Sequence, residues 1–165
     1  MSHNPPLCYC GNQKPFQHCC QPIHIAKSRA ETAEALMRSR FSAFCTQNLS
    51  YLVATHQPPL GQKTPTEDEY HSENQWVGLK ILNTDLGLKS DNSGHVEFVA
   101  FYTLATNDAI EPLHQLRERS FFEQHNHQWF YVSGEAGSRV KISRNETCPC
   151  QSGKKTKKCH PHWLC

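Results

Sequence analysis

Eight residues of this chain have the types and spacing to hold metal ions. Cys8, Cys10, Cys19 and Cys20 stand near one end, and Cys148, Cys150, Cys159 and His160 near the other. Each residue of the second set lies 140 positions after its counterpart in the first, and Lys154 repeats Lys14 at the same offset. A fixed offset across four donor positions is an internal repeat. Each copy reads C-x-C, eight residues, then C followed by C or H, which supplies the four donors of a closed tetrahedral site. A histidine replaces one thiolate in the second copy, which favours zinc over an iron–sulfur cluster. Neighbouring cysteines such as Cys19 and Cys20 rarely bond to each other, and without a secretory leader a disulfide framework is not expected. The expected cofactor is therefore zinc, at two sites per chain. Cys45 and Cys165 complete neither site; the first reads as a small buried residue at a helix end and the second as an exposed thiol.

The surroundings of the second site are basic. From Arg139 to His160 there are seven Lys or Arg against Glu146 alone, although the whole chain of 165 residues carries only +2. Lys154, Lys155, Lys157 and Lys158 crowd the loop between the ligand pairs, a surface suited to an acidic protein, an anionic membrane surface or a nucleic-acid backbone. No stretch approaches the run of roughly 18 apolar residues that a spanning helix needs, and no leader is recognisable at Met1–Leu7, so a cytoplasmic protein is expected. The glycosylation patterns at Asn48 and Asn145 then carry no meaning.

Between the clusters the hydrophobic pattern changes once. Ser28-x-x-Glu31 has the form of a capping box, and Leu36, Met37, Phe41 and Phe44 recur at helical spacing, predicting a helix from Arg29 to Cys45. Asn48 predicts a second helix ending near His56, before Pro58-Pro59, and Pro65-Thr66 followed by three carboxylates predicts a short third. From Gln75 onward, alternating β-branched and aromatic residues predict four strands at 76–84, 95–104, 113–123 and 128–133, joined by turn-rich segments. Helices followed by an antiparallel meander define an α+β fold, a curved antiparallel sheet packed on the N-terminal helices.

Several segments carry a resemblance. Cys8–Cys20 and Cys148–His160 resemble the SEC-C motif, also found in the translocation ATPase SecA, which in that family binds zinc. Leu36-Met-Arg-Ser-Arg-Phe-Ser-Ala-Phe44, Trp76-Val-Gly-Leu79, Glu118-Arg-Ser120 and Gln128-Trp-Phe-Tyr-Val132 resemble the YchJ-like bacterial proteins. That resemblance implies a cone-shaped nuclear transport factor 2-like domain over residues 30–137, flanked by zinc knuckles at 1–26 and 144–165. The motif is departed from at Gln13 and Gln151, where glycine is usual, and at Pro161. These changes bear on loop shape and leave the ligands untouched.

Cones of this type enclose pockets, and His56, Tyr102, Glu118 and Arg119 are the candidate lining residues. Strand alternation puts Arg117 and Arg119 on one face and Glu118 with Ser120 on the other, so only one set can point inward. Arg38 and Arg40 flank core positions, and at least one is expected at the helix–sheet edge, paired with Glu97 or Glu118. No H-E-x-x-H or G-x-S-x-G is present, and Gly153-Lys-Lys-Thr156 lacks the features of a phosphate loop. The favoured function is a non-enzymatic adaptor, since the SecA motif contacts the chaperone SecB and the resemblance implies a protein partner on the C-terminal knuckle. A small-molecule-binding protein or enzyme using the cone, and nucleic-acid binding through the lysines, are the alternatives.

Overall fold

The computed structural model describes residues 6–105 and 111–164, so the expectation for Cys165 lies outside the described residues. Its elements in chain order are a 3-10 turn at Phe16–His18, helices α1 (Gln21–His24), α2 (Ala33–Cys45), α3 (Leu49–Ala54) and α4 (Glu67–Tyr70), and strands β1 (Gln75–Leu86), β2 (Ser93–Thr103), β3 (His114–His125) and β4 (Gln128–Ala136). Helix α5 (Thr156–Cys159) and a 3-10 turn at Pro161–Trp163 follow.

The long helix α2 begins at Ala33, four residues later than its sequence predicts. Thr32 caps it, its Oγ1 accepting from the Ala35 N–H at 3.0 Å, while Ser28 makes no cap. Tertiary contacts hold the preceding residues extended: the Ala33 N–H donates to the Gly87 carbonyl at 2.9 Å, and the Trp129 indole N–H donates to the Glu31 carbonyl at 3.2 Å. Those bonds outweigh a local capping preference of about 1 kcal/mol. The Asn48 side chain caps α3 through the Tyr51 N–H, and Glu69 accepts from the Thr66 N–H at the start of α4.

The four strands form one antiparallel meander in the order β1-β2-β3-β4, with irregular register at Trp76/Gly78, Ile81/Asn83 and Phe121/Phe122. Period-two alternation gives the sheet two buried faces. Val96, Phe98 and Ala100 of β2, with Phe122 and Trp129, pack under Leu36, Met37 and Phe41 of α2. Val99 and Phe101 point the other way and form a second core with Leu113, Cys148 and Trp163. The outer edge of β4 is also paired: Tyr131 N–H donates to the Thr55 carbonyl and Gln57 N–H to the Tyr131 carbonyl, both at 2.9 Å.

Helix α2 is buried nearly all round, which is why polar Ser39, Arg40 and Ser42 are among its enclosed residues. Arg40 does not pair with a strand carboxylate. Its Nη1 donates to the Leu52 carbonyl (2.8 Å) and Thr55 Oγ1 (2.7 Å), its Nη2 to the Tyr70 hydroxyl (3.2 Å), and its guanidinium lies 4.8 Å from the Tyr131 ring centroid. One carbonyl near the C-terminus of α3 and two hydroxyls thus take the place expected of Glu97 or Glu118. Glu97 instead pairs with Arg117 at 2.5 Å.

Candidate metal centres

The two Cys/His sets adopt the same backbone design at the same offset. The Cys8 N–H donates to the Lys14 carbonyl at 2.7 Å and the Cys148 N–H to the Lys154 carbonyl at 2.8 Å. Leu7 bridges to Pro15 and Thr147 to Lys155. Each turn contains two left-handed positions, Gly11 and Gln13 in one copy, Gln151 and Gly153 in the other. The two glutamines therefore sit where a left-handed backbone favours glycine, at a strain of about 1–2 kcal/mol each. The turn presents C-x-C; the second ligand pair comes from a helical turn, Phe16–His18 leading into Cys19 and Cys20, and α5 leading into Cys159 and His160.

Within each set the four donor atoms lie within 4.8 Å of one another. Cys10 and Cys19 sulfurs are 3.4 Å apart, Cys19 and Cys20 4.0 Å, Cys150 and Cys159 3.6 Å, and Cys148 Sγ is 3.2 Å from His160 Nδ1. These spacings are far beyond a sulfur–sulfur bond and bracket the edge of a thiolate tetrahedron, about 3.8 Å for metal–sulfur bonds of about 2.3 Å. The donor chemistry suits a cation. In the N-terminal set, hydrogen bonds from Cys10 and Cys20 hold the Cys8 thiol well below its ordinary range, while Cys20 is pushed far up by its contacts with Cys10 and Cys8 and by burial. A divalent cation among them would favour the thiolate form of these packed sulfurs. In the C-terminal set burial pushes Cys148 up to about 12. Burial, then the neighbouring His162, lowers the His160 pKa, the direction that favours the neutral ring a ligand needs. That ring stacks on Trp163 at 3.8 Å and 8°, and the Trp163 indole N–H donates to the Glu111 carbonyl.

Both knuckles rest on the central domain. Arg38 Nη1 donates to the Cys10 carbonyl at 2.7 Å, the buried Ser42 hydroxyl lies 3.7 Å from Cys8 Sγ, and His24 Nε2 bonds to the Ser39 carbonyl at 2.8 Å. On the other face of the sheet, Gly78 meets the backbone of Pro149. Lys154, Lys155 and Lys158 are exposed and Lys157 half-buried around the second set. Sequence reasoning singled out Arg38 and Gln151 but missed what they touch; only the spatial neighbourhood reveals it.

The four pocket candidates are not brought together. Glu118 lines a cavity of about 340 Å³ between α2, α4 and the sheet, together with Arg40, Phe41, Trp76 and Tyr131. His56 stands behind its wall, its Nδ1 bonded to the Tyr70 hydroxyl and its ring 4.9 Å from that of Tyr131. Tyr102 sits beyond Trp76, stacked on His114 at 5.2 Å. Arg119 is on the opposite face, paired with Asp85 at 3.6 Å, because alternation from inward Glu118 turns it outward. Glu118 Oε1 accepts from Ser120 (2.6 Å) and Tyr131 (3.1 Å) hydroxyls.

Fold and sites together define a small α+β domain of nuclear transport factor 2-like type flanked by two four-donor Cys/His centres. Comparison with known proteins agrees: the family model described as "YchJ, middle NTF2-like domain" matches residues 32–134, and the SEC-C motif model matches 144–160. The chain belongs to the YchJ-like family, whose curated members carry the name UPF0225. A UPF0225 protein of Vibrio cholerae is 39% identical over 92% of this chain and 97% of its own length, and one from Photorhabdus laumondii 37% over 93% and 97%. Among solved structures, a SEC-C motif containing protein from Rhodopseudomonas palustris superposes with a TM-score of 0.69 at 27% identity, covering 81% of this chain and all of the other. A second, from Psychrobacter arcticus, gives 0.61 at 27% identity over 96% and 97%. Among the described residues, no helix is long and apolar enough to cross a membrane.

Proposed function

We propose that this protein is a zinc-dependent, non-enzymatic adaptor of the cytoplasm, whose C-terminal knuckle docks an acidic segment of a partner protein. One observation carries the reading: Lys154, Lys155, Lys157 and Lys158 occupy a turn and helix whose shape depends on ligands at both ends, Cys148 with Cys150 and Cys159 with His160. A knuckle of this size has no core of its own, so the metal supplies its folding free energy and fixes the lysines in space. Zinc fits a mixed sulfur and imidazole set that keeps no open position for chemistry. Reduced thiols at 3.4–4.0 Å suit a reducing compartment. The test is affinity capture from lysate with the zinc-loaded chain and with a variant in which all four lysines are glutamate. A partner held by the first and lost by the second is expected; equal recovery overturns the docking face. A nucleic-acid partner would instead show affinity falling steeply with salt.

The cavity beside Arg40 favours a second reading, a small-ligand site. Among the described residues Arg40 has no carboxylate partner, and the buried Trp76 indole nitrogen has no hydrogen-bond partner. An unmatched indole donor beside a buried guanidinium is complementary to a small molecule with an acceptor. Trp76 fluorescence unmoved by a library of small carboxylates and amides would remove this reading.

A further inference from the structure

The loop that carries Cys8 and Cys10 is held from two sides by residues outside its own knuckle. From α2, Arg38 donates to the Cys10 carbonyl at 2.7 Å, and its Nε is fixed by Glu34 at 2.8 Å. From the opposite knuckle, Gln151 Nε2 donates to the Tyr9 carbonyl at 3.1 Å. A Cβ on Gly11 would stand 3.6 Å from both Arg38 Nη1 and Gln151 Nε2, so the turn is seated between the two donors. Gln151 directly follows the ligand Cys150 and has a left-handed backbone, with φ of 61°. Its amide is aimed by the closure of its own C-x-C turn, which is what a metal at the second site enforces.

We propose that the two centres load metal as a coupled pair, with Gln151 the positioning residue that transmits the coupling and Arg38 the anchor that makes the shared turn rigid. The inference rests on the reading that both sets hold zinc. Loading the C-terminal set orders Gln151, which then fixes the Tyr9 carbonyl and pre-forms the N-terminal ligand loop. By linkage, loading the N-terminal set must tighten the C-terminal one by the same factor. Outer-shell bonds of this kind change metal affinity by about 10–100-fold.

The test uses the full chain, stripped of metal under anaerobic reducing conditions and titrated with Zn²⁺ against a chromophoric chelator. Protection of each cysteine from alkylation, read by mass spectrometry, resolves the two sites. Disabling the C-terminal set with Cys159→Ser and His160→Asn should weaken zinc retention by Cys8, Cys10, Cys19 and Cys20 about tenfold. The same lesion in a Gln151→Gly background, a substitution that removes the amide but touches no ligand and keeps the left-handed turn, should change it less than about twofold. Disabling the N-terminal set with Cys19→Ser and Cys20→Ser should weaken the C-terminal site by the same factor, as linkage requires, and Gln151→Gly should abolish that effect too, which general loosening of the fold would not produce. Independent loading of the two sets overturns the coupling and leaves the zinc reading intact. Failure of either set to retain Zn²⁺ overturns both.

Discussion

Gly78 of β1 lies flush against the carbonyl of Pro149, so close that a Cβ at position 78 would overlap that oxygen. The glycine is therefore the seat on which the C-terminal knuckle rests, between Cys148 and Cys150. Gly78→Ala should push the knuckle off the sheet at a cost of about 1–3 kcal/mol, as overpacking does. Thermal unfolding measures the loss, and amide exchange should rise over 144–164 while β2 and β3 stay protected. An unchanged exchange pattern would mean that the backbone of Pro149 yields freely.

Arg40 is 4% exposed and ties α2 to α3 and α4 through Leu52, Thr55 and Tyr70. Arg40→Met preserves length and apolar stem but leaves a carbonyl and two hydroxyls without their donor. A loss of about 3 kcal/mol is expected in denaturant unfolding. A neutral result would show that packing alone suffices at this position, as some buried ionic groups allow.

His56 gives the fold a defined acid sensitivity. Burial, then the Arg40 charge, lowers its pKa below the ordinary 6.5. The unfolded chain therefore binds a proton that the native state refuses, and stability falls as pH drops below about 6.5. His56→Gln removes this contribution. The drop in urea midpoint between pH 7 and pH 5 should be smaller for the variant than for the parent; an identical drop would assign the sensitivity to other groups.

Removing metal with a chelator should loosen the knuckles and spare the centre. Amide exchange is expected to rise over 6–25 and 144–160, where hydrogen bonds such as Cys8 N–H to Lys14 depend on turn closure, and to stay slow around Phe122 and Trp129, both essentially inaccessible. Uniform acceleration would mean that the central domain does not stand alone.

The sequence announced some of these features through local signals and hid others in tertiary ones. The Cys/His repeat is legible because ligand chemistry restricts residue type, and the same offset reappears in the hydrogen bonds of both turns. The meander is legible because alternation and turn residues act within a few positions. The start of α2 is not, since Gly87 and Trp129 decide it from far along the chain. Nor is the direction of Glu118 against Arg119: alternation separates them, but only the packed sheet says which one faces α2. Arg38 reads as an ordinary helix residue until its neighbour across space, Cys10, is known.

The second core has a wider implication. Val99, Phe101 and Leu113 on the face of the sheet away from α2 are screened in part by Cys148 and Trp163, residues of the C-terminal knuckle. Displacing that knuckle would bare an oily surface that neighbouring copies can adhere to. On the zinc reading proposed above, metal supply then governs how readily copies of this chain adhere to one another.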